Sequence, residues 1–356
     1  MIAADLLRPS TTPRLVRAVS TNTCAVQQDE IRAAAALLRA GKTVAFPTET
    51  VYGLGAHAMN QEGVRRVFTI KGRPTNHPLI VHLATAEWLN DWARDISTPA
   101  RLLAEAFWPG PLTLVLPRQP WVLDAVTGSQ DSVAVRVPEH PVALQLIAAS
   151  GALVAPSANR FGRVSPTTAQ HVRDELGDAV DMILDGGPCR IGVESTIISL
   201  LHDEPVLLRP GGVSVTDLEA VLKTPLSTGT RRGSERAPGM LAAHYAPSTP
   251  LEILARHEID ARVAELAAQG LRVALMKLGQ RDANDFPHAH REVMPHHAAD
   301  YARTLYATLR ALDAAGFHAL LVEAPPATPE WLAVRDRLAR AATIAAVPEK
   351  PCNKLT

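Results

Sequence analysis

The feature that most constrains the fold is a series of short apolar runs, each closed by polar or turn residues. "PLIVHL", "LTLVLP", "SVAVRVP", "ALVAPS", "DMILDGG", "STIISLL" and "PVLLRPG" are strand-length and carry Val, Ile, Leu or Ala on both faces. A strand apolar on both faces belongs in a sheet covered on both sides, so such segments need helices above and below them. The intervening sequence supplies these. Residues 27–40 set Ile31, Ala34, Ala35 and Leu38 on one stripe with Gly41 as a stop. Further helices are expected near residues 98–107, 140–149 and 168–177. A helix with Val64, Val67 and Phe68 inward is expected to end at Pro74 in "KGRP". "TVAFPTETVYGLG" reads as a short buried strand that breaks into a loop.

The rhythm lapses between Leu222 and Pro250, in "KTPLSTGTRRGSERAPGMLAAHYAPSTP". Its Ser, Thr, Gly, Pro and Arg-rich first half fits an exposed connector. Met240, Leu241, His244 and Tyr245 are residues a solvated tether has little reason to keep. A simpler alternation follows: strand "PLEILA", helix 258–268, strand "RVALMKL", a loop, helix 297–315, strand "HALLVEAP" and helix 328–342. That pattern predicts a second, smaller α/β domain with a parallel, Rossmann-like sheet. It lacks G-x-G-x-x-G, so NAD is not expected there. His288, His290, His296 and His297 match no zinc spacing and read as a surface loop. With 356 residues, two domains are expected. The division is an N-terminal extension (1–23), a first domain (24–222), a linker (223–248) and a second domain (249–350).

Charge narrows the partners. Lys+Arg and Asp+Glu are both 36, so there is no basic field to coat a nucleic acid, and any polyanion bound is expected to be small and held in a local pocket. Cys24, Cys189 and Cys352 are widely spaced, which predicts a reducing compartment and no structural zinc. No apolar run approaches the roughly 20 residues of a membrane span. The first twenty residues lack a long apolar core, so a cytoplasmic location is expected.

Polar residues gather at strand ends, where open α/β sheets place ligands. Lys71 and Arg73 stand beside His77 in "KGRPTNHP", a pairing suited to phosphate, though a helix C-terminus favours the same cations. Ser157, Asn159, Gly162 and Ser165 form a second cluster. Ser165 before Pro166 also fits a plain helix N-cap with Pro at the first position. Arg136 lies inside an apolar strand, so it must meet either a structural carboxylate or a bound anion. Glu194, Ser195 and Arg209 lie at strand ends beside glycines. Convergence of the clusters points to an anion site. There is no P-loop and no nucleophile elbow, and Cys189 reads as an inert small residue.

Those residues carry a family resemblance. "FPTETVYGLGA", "KGRPTNHPLIVHL", "WPGPLTLVLP", "SVAVRVPEHP", "APSANRFGRVSPT", "GGPCRIGVESTIISL" and "LLRPGG" resemble, in order, the motifs of the YrdC-type domain of L-threonylcarbamoyladenylate synthases, over about residues 27–215. "PGMLAAHYAP" resembles the P-G-M-x-x-x-H-Y linker of the two-domain members. The resemblance implies a YrdC-like twisted open α/β sheet domain followed by a smaller Rossmann-like α/β domain. It also implies a nucleotidyltransferase that makes threonylcarbamoyl-AMP and pyrophosphate from L-threonine, bicarbonate and ATP, with Mg²⁺ accompanying ATP. The product would pass to a separate transferase complex acting on adenosine 37 of tRNAs that read codons beginning with A.

Carried over by motif, Lys71 and Arg73 would be catalytic. Threonine would meet Thr50, His82, Arg136, the backbone around Ala155, and Ser195. ATP would meet Lys71, Arg73, His77, Ser132, Ser157, Asn159, Ser165, Arg209 and Tyr245. Position 77 is often Asn or Lys in the family, so His77 departs from the commoner pattern. The carbamate is labile in water, so Pro238 to Tyr245 is expected to fold back over the cleft as a lid. The competing reading is an RNA-binding module of the same fold. Zero net charge and 4% aromatic residues weigh against it. Related hydrogenase-maturation proteins carry acylphosphatase and zinc-finger-like segments that this sequence lacks.

Overall fold

The computed structural model describes residues 26–228, 236–239, 244–279 and 288–342. The N-terminal extension, Cys24, Cys352, Met240 and Leu241 lie outside the described residues. The first part of the chain runs α1 (Gln28–Arg39), β1 (Val44–Phe46), β2 (Gly53–His57), α2 (Gln61–Lys71), β3 (Ile80–His82), α3 (Leu89–Trp92) and α4 (Thr98–Phe107). It continues with β4 (Leu112–Pro117), α5 (Asp124–Thr127), β5 (Ser132–Arg136), α6 (Pro141–Ser150), β6 (Leu153–Val154) and α7 (Ala169–Leu176). It ends with β7 (Met182–Ile183), β8 (Thr196–Ser199), β9 (Val206–Arg209), α8 (Val215–Leu222) and β10 (Ser227–Thr228).

These strands form one sheet in the order β10-β9-β8-β4-β5-β3-β6-β2-β1-β7. It is mixed: β3 is parallel to β5 but antiparallel to β6, and β4 is parallel to β8 but antiparallel to β5. β10 extends this sheet beyond residue 222 by pairing with β9. The stripe Ile31, Ala34, Ala35 and Leu38 is buried as expected and packs with Ala143, Leu146 and Ile147 of α6. "GLGAH", expected as loop, is strand β2. Its glycines disguise it, and the structure explains them: a Cβ on Gly55 would lie 2.7 Å from the Phe46 ring and 3.1 Å from the Val44 carbonyl oxygen. Helix α2 ends earlier than Pro74, at Gly72 in the left-handed conformation (φ 62).

The second part comprises β11 (Leu251–Leu254), α9 (Ile259–Ala268), β12 (Val273–Leu278), β13 (Ala289–Met294), α10 (Ala298–Ala314), β14 (Ala319–Glu323) and α11 (Leu332–Ala341). Its sheet, in the order β11-β14-β12-β13, is wholly parallel. β13 corrects the expected histidine loop: His290 lies in a strand that, among the described residues, is at the sheet edge and pairs with β12, and the polar residues of β13 hide the strand pattern. His288 is exposed, and among the described residues no group of His, Cys, Asp or Glu side chains gathers as metal ligands would. No helix among the described residues is long and apolar enough to cross a membrane.

The two sheets are joined by a shared apolar cluster. Val51, Val164 and Val193 from the first part pack with Tyr301, Leu305 and Tyr306 of α10, and Tyr245 from the linker is buried among them.

Candidate active site

One cleft is lined from the ends of β1, β3, β5, β6, β8 and β9, so the strands that build the large sheet also aim its polar residues. All five residues expected to meet threonine line it: Thr50, His82, Arg136, Ala155 and Ser195. Thr50 is held in a tight turn, where the Thr48 hydroxyl lies 2.8 Å from its own and donates to the Val51 carbonyl (2.6 Å). Of the two partners the sequence left open, Arg136 has the carboxylate. Its Nη2 lies 2.6 Å from the buried Glu49 Oε1, its Nε donates to the Gly110 carbonyl (3.1 Å), and it still faces the cleft. Burial, with the Arg136 charge nearby, pushes His82 down to about 3. The ring is therefore neutral. Its Nδ1, 3.2 Å from the Ile80 carbonyl oxygen, is the donor, which leaves Nε2 as an acceptor.

Three further cations belong to this region: Arg73 and Arg209 line the cleft, and Lys71 contacts Ser157 of its wall. Lys71, the last residue of α2, is buried and its Nζ donates to the Ser157 and Asn159 carbonyls. Arg73 follows the Gly72 turn, donates from Nη2 to the Pro78 carbonyl (2.9 Å) and lies over the Phe161 ring at 5.7 Å. Arg209, at the end of β9, donates to the Ser195 carbonyl (2.8 Å from Nη2), to the Ser195 hydroxyl (3.1 Å) and to the Pro238 carbonyl (3.0 Å from Nη1). Among the described residues none of the three forms an ion pair with a carboxylate. Burial, with Arg73 beside it, lowers Lys71 to about 7, and burial lowers Arg73 to about 10. Buried cations held by carbonyls and a hydroxyl, with no carboxylate to neutralise them, are chemically suited to an anion.

Ser165 is not a helix cap. Helix α7 starts at Ala169, with the Thr168 hydroxyl accepting from the His171 N–H at 3.2 Å, and the buried Ser165 hydroxyl donates instead to Glu194 Oε1 (2.6 Å). "SPTT" offers three hydroxyl residues, and the buried carboxylate claims the first. Asn159 is fixed by its side-chain amide, which donates to the Arg160 and Arg163 carbonyls (2.7 and 2.9 Å). His77 stands edge-on to Phe161 (5.6 Å). Ser132 lies four residues from Arg136, at the other end of β5, away from the central cleft. It is close in sequence to Gln130, whose side-chain oxygen accepts from the N–H of Arg236 in the linker (2.8 Å).

The linker covers the cleft. Pro238, Gly239, His244 and Tyr245 line its roof and leave a cavity of about 50 Å³, room for a few waters at roughly 10–15 Å³ each. His244 stands edge-on to Phe161 and to Tyr245, and Tyr245 stacks on Tyr306 of α10. The side chains missed in the sequence are Glu49, Phe161, Tyr306 and Arg337. Phe161 is a lone ring among small residues, and the others gain meaning only from partners far along the chain. Cys189 is buried, and burial with Glu49 nearby pushes its thiol far up, consistent with an inert residue.

Comparison with known proteins identifies the architecture. Residues 36–211 match a family model described as telomere recombination, and residues 213–343 match one described as the threonylcarbamoyl-AMP synthase C-terminal domain. The chain is 42% identical over 327 residues to threonylcarbamoyl-AMP synthase of Pyrococcus abyssi, covering 89% of this chain and 95% of that one. It is 41% identical over 333 residues to the Bacillus subtilis enzyme of the same name, covering 90% and 95%. The crystal structure of P. abyssi Sua5 complexed with L-threonine superposes with a TM-score of 0.82 at 40% identity, covering 89% of this chain and 95% of that one.

Proposed function

The chain belongs to the threonylcarbamoyl-AMP synthase family of nucleotidyl-transferring enzymes, and from that premise we propose that it converts L-threonine, bicarbonate and Mg²⁺–ATP to threonylcarbamoyl-AMP and pyrophosphate. The observation that carries this reading is the trio Lys71, Arg73 and Arg209, buried beside one cleft with carbonyl partners and no carboxylate among the described residues. Threonine lies in the inner part, its carboxylate toward Arg136 and Ser195 and its amine toward the neutral Nε2 of His82. The amine nitrogen attacks the carbon of bicarbonate, and water leaves, giving a carbamate. A carbamate oxygen then attacks the α-phosphorus of ATP, and the bond to the β-phosphate oxygen breaks with its electron pair leaving on pyrophosphate.

Both reactants are anions, so the chain's task is to cancel charge and hold the groups in line. Lys71, Arg73 and Arg209 take the phosphates, with Ser157, Asn159 and Ser165 beside them. His77 and Ser132 serve the outer end of the nucleotide. Mg²⁺ arrives on the triphosphate as part of the substrate. The cavity of about 50 Å³ is small for a triphosphate, so Tyr245 moves aside for ATP to enter and then returns over it, excluding water from the carbamate. The product would be handed to the transferase complex that modifies adenosine 37 of tRNAs reading codons beginning with A.

Pyrophosphate release tests the reaction. It should require added L-threonine and bicarbonate together and be much slower with serine. RNA binding that weakens steeply with salt, without threonine-dependent pyrophosphate release, would overturn the reading.

A further inference from the structure

A cleft that must accept a polyanion holds a buried carboxylate on its wall. Glu194 lines the cavity next to Ser195, and its Oε1 accepts from Ser165, a proposed ATP contact. Its Oε2 accepts from two donors of the second domain, the Tyr306 hydroxyl on α10 (2.9 Å) and Arg337 Nε on α11 (2.7 Å). Arg337 is fully buried, and its guanidinium lies 5.1 Å from the centre of the Tyr245 ring. Its Nη1 is 2.6 Å from Asp336, and its Nη2 is buried without a hydrogen-bond partner.

We propose that Arg337 is a positioning residue supplied by the second domain: it cancels the Glu194 charge so that the triphosphate can enter, and its guanidinium face seats Tyr245 over the nucleotide. This rests on the adenylation reading above. A lone carboxylate among the phosphate contacts would repel ATP, and like charges brought together in a desolvated site are costly. Burial pushes the Glu194 carboxyl up, yet Arg337 first, then Arg209 and the Ser165 hydroxyl, outweigh burial and hold it at about 2. The groups facing Glu194 are Ser165, Lys71 of α2, Arg209 of β9, His244 and Tyr245 of the linker, Tyr306 of α10 and Arg337 of α11. Arg337 is the one of these that forms an ion pair with the carboxylate.

A charge cycle in the full chain separates compensation from mere packing. Arg337→Met keeps most of the volume and removes the charge; it should raise the KM for Mg²⁺–ATP about tenfold or more while leaving that for threonine nearly unchanged. In the Glu194→Gln background the same change should cost no more than about twofold, since no charge remains to cancel. The Arg337→Met defect should also shrink as the pH is lowered toward 5, because the uncompensated carboxyl then takes up a proton. Arg337→Lys should retain most of the ATP affinity.

Equal losses in both backgrounds, or a double variant that cannot fold, would overturn the proposal. Equilibrium binding of Mg²⁺–ATP and of inorganic tripolyphosphate to the same four chains keeps the cycle readable without turnover. If the parent chain binds both but releases no pyrophosphate with threonine, the adenylation reading fails while the cycle still judges Arg337.

Discussion

Lys71 is the residue whose burial has the clearest measurable consequence. With its ammonium lowered to about 7 by burial and by Arg73, much of it is neutral in the empty site above that pH. A bound phosphate favours the charged form and raises the value again, so binding above pH 7 takes up a proton. Affinity for Mg²⁺–ATP should therefore fall as pH rises from about 7.5 to 9.5, by up to about tenfold per unit, and calorimetry in buffers of different ionisation enthalpy should register the uptake. Lys71→Ala should flatten that slope. Lys71→Ala and Arg73→Ala should each slow pyrophosphate release by roughly 10²–10³ with the fold intact, as loss of a single electrostatic clamp does elsewhere; near-normal rates would remove both from the site. These cations were legible in the sequence because a Lys and an Arg flanking the helix stop, just ahead of two prolines, are a pairing suited to phosphate. Glu194 and Arg337 were not legible as a pair, since 143 residues separate them and nothing local joins them.

At the scale of elements, the linker turn is held by one backbone position. Gly239 has φ +80, and a Cβ there would lie 2.2 Å from the Tyr245 hydroxyl and 2.9 Å from Arg209 Nη1. Gly239→Ala thus meets both a left-handed penalty of about 1–2 kcal/mol and a clash with two proposed ATP contacts. The variant should release pyrophosphate at least about tenfold more slowly, with a higher KM for ATP and unchanged far-UV ellipticity; parent-like kinetics would mean that the closed turn is not used in turnover. The same scale shows which elements the sequence could carry. α1 was readable because its stripe faces a single neighbour, α6. β2 was hidden by glycines that Phe46 demands, and β13 by an edge position that leaves only Met294 of its six residues fully buried. The bounds expected for α7 hold, and only the N-cap reading of Ser165 fails, because a buried carboxylate distant in sequence takes its hydroxyl.

At the scale of the molecule, the two domains share their apolar contact and their electrostatics, so they should unfold together. Val51, Val164 and Val193 are covered by α10, and the Glu194 to Arg337 pair crosses the same boundary. Separating the domains would expose these valines and leave a buried carboxylate without its counter-ion, and breaking a buried ion pair costs about 3–5 kcal/mol. Independent melting would have to bear that cost, while concerted melting would not. The tryptophans allow a direct test: Trp88, Trp92, Trp108 and Trp121 belong to the first domain, and Trp331, packed edge-on to Tyr301 at 5.4 Å, reports the second. The difference in fluorescence between the parent chain and Trp331→Phe isolates that signal, and its thermal midpoint should coincide with the midpoint in far-UV ellipticity. Threonine and Mg²⁺–ATP, each at a hundred times its Kd, should add about 2.7 kcal/mol apiece and raise both midpoints together, because the ligands sit against Tyr245 and the second domain holds that ring in place. Two midpoints, with only the first-domain one moved by ligand, would mean that the second domain rides on the catalytic sheet without taking part in closing its site.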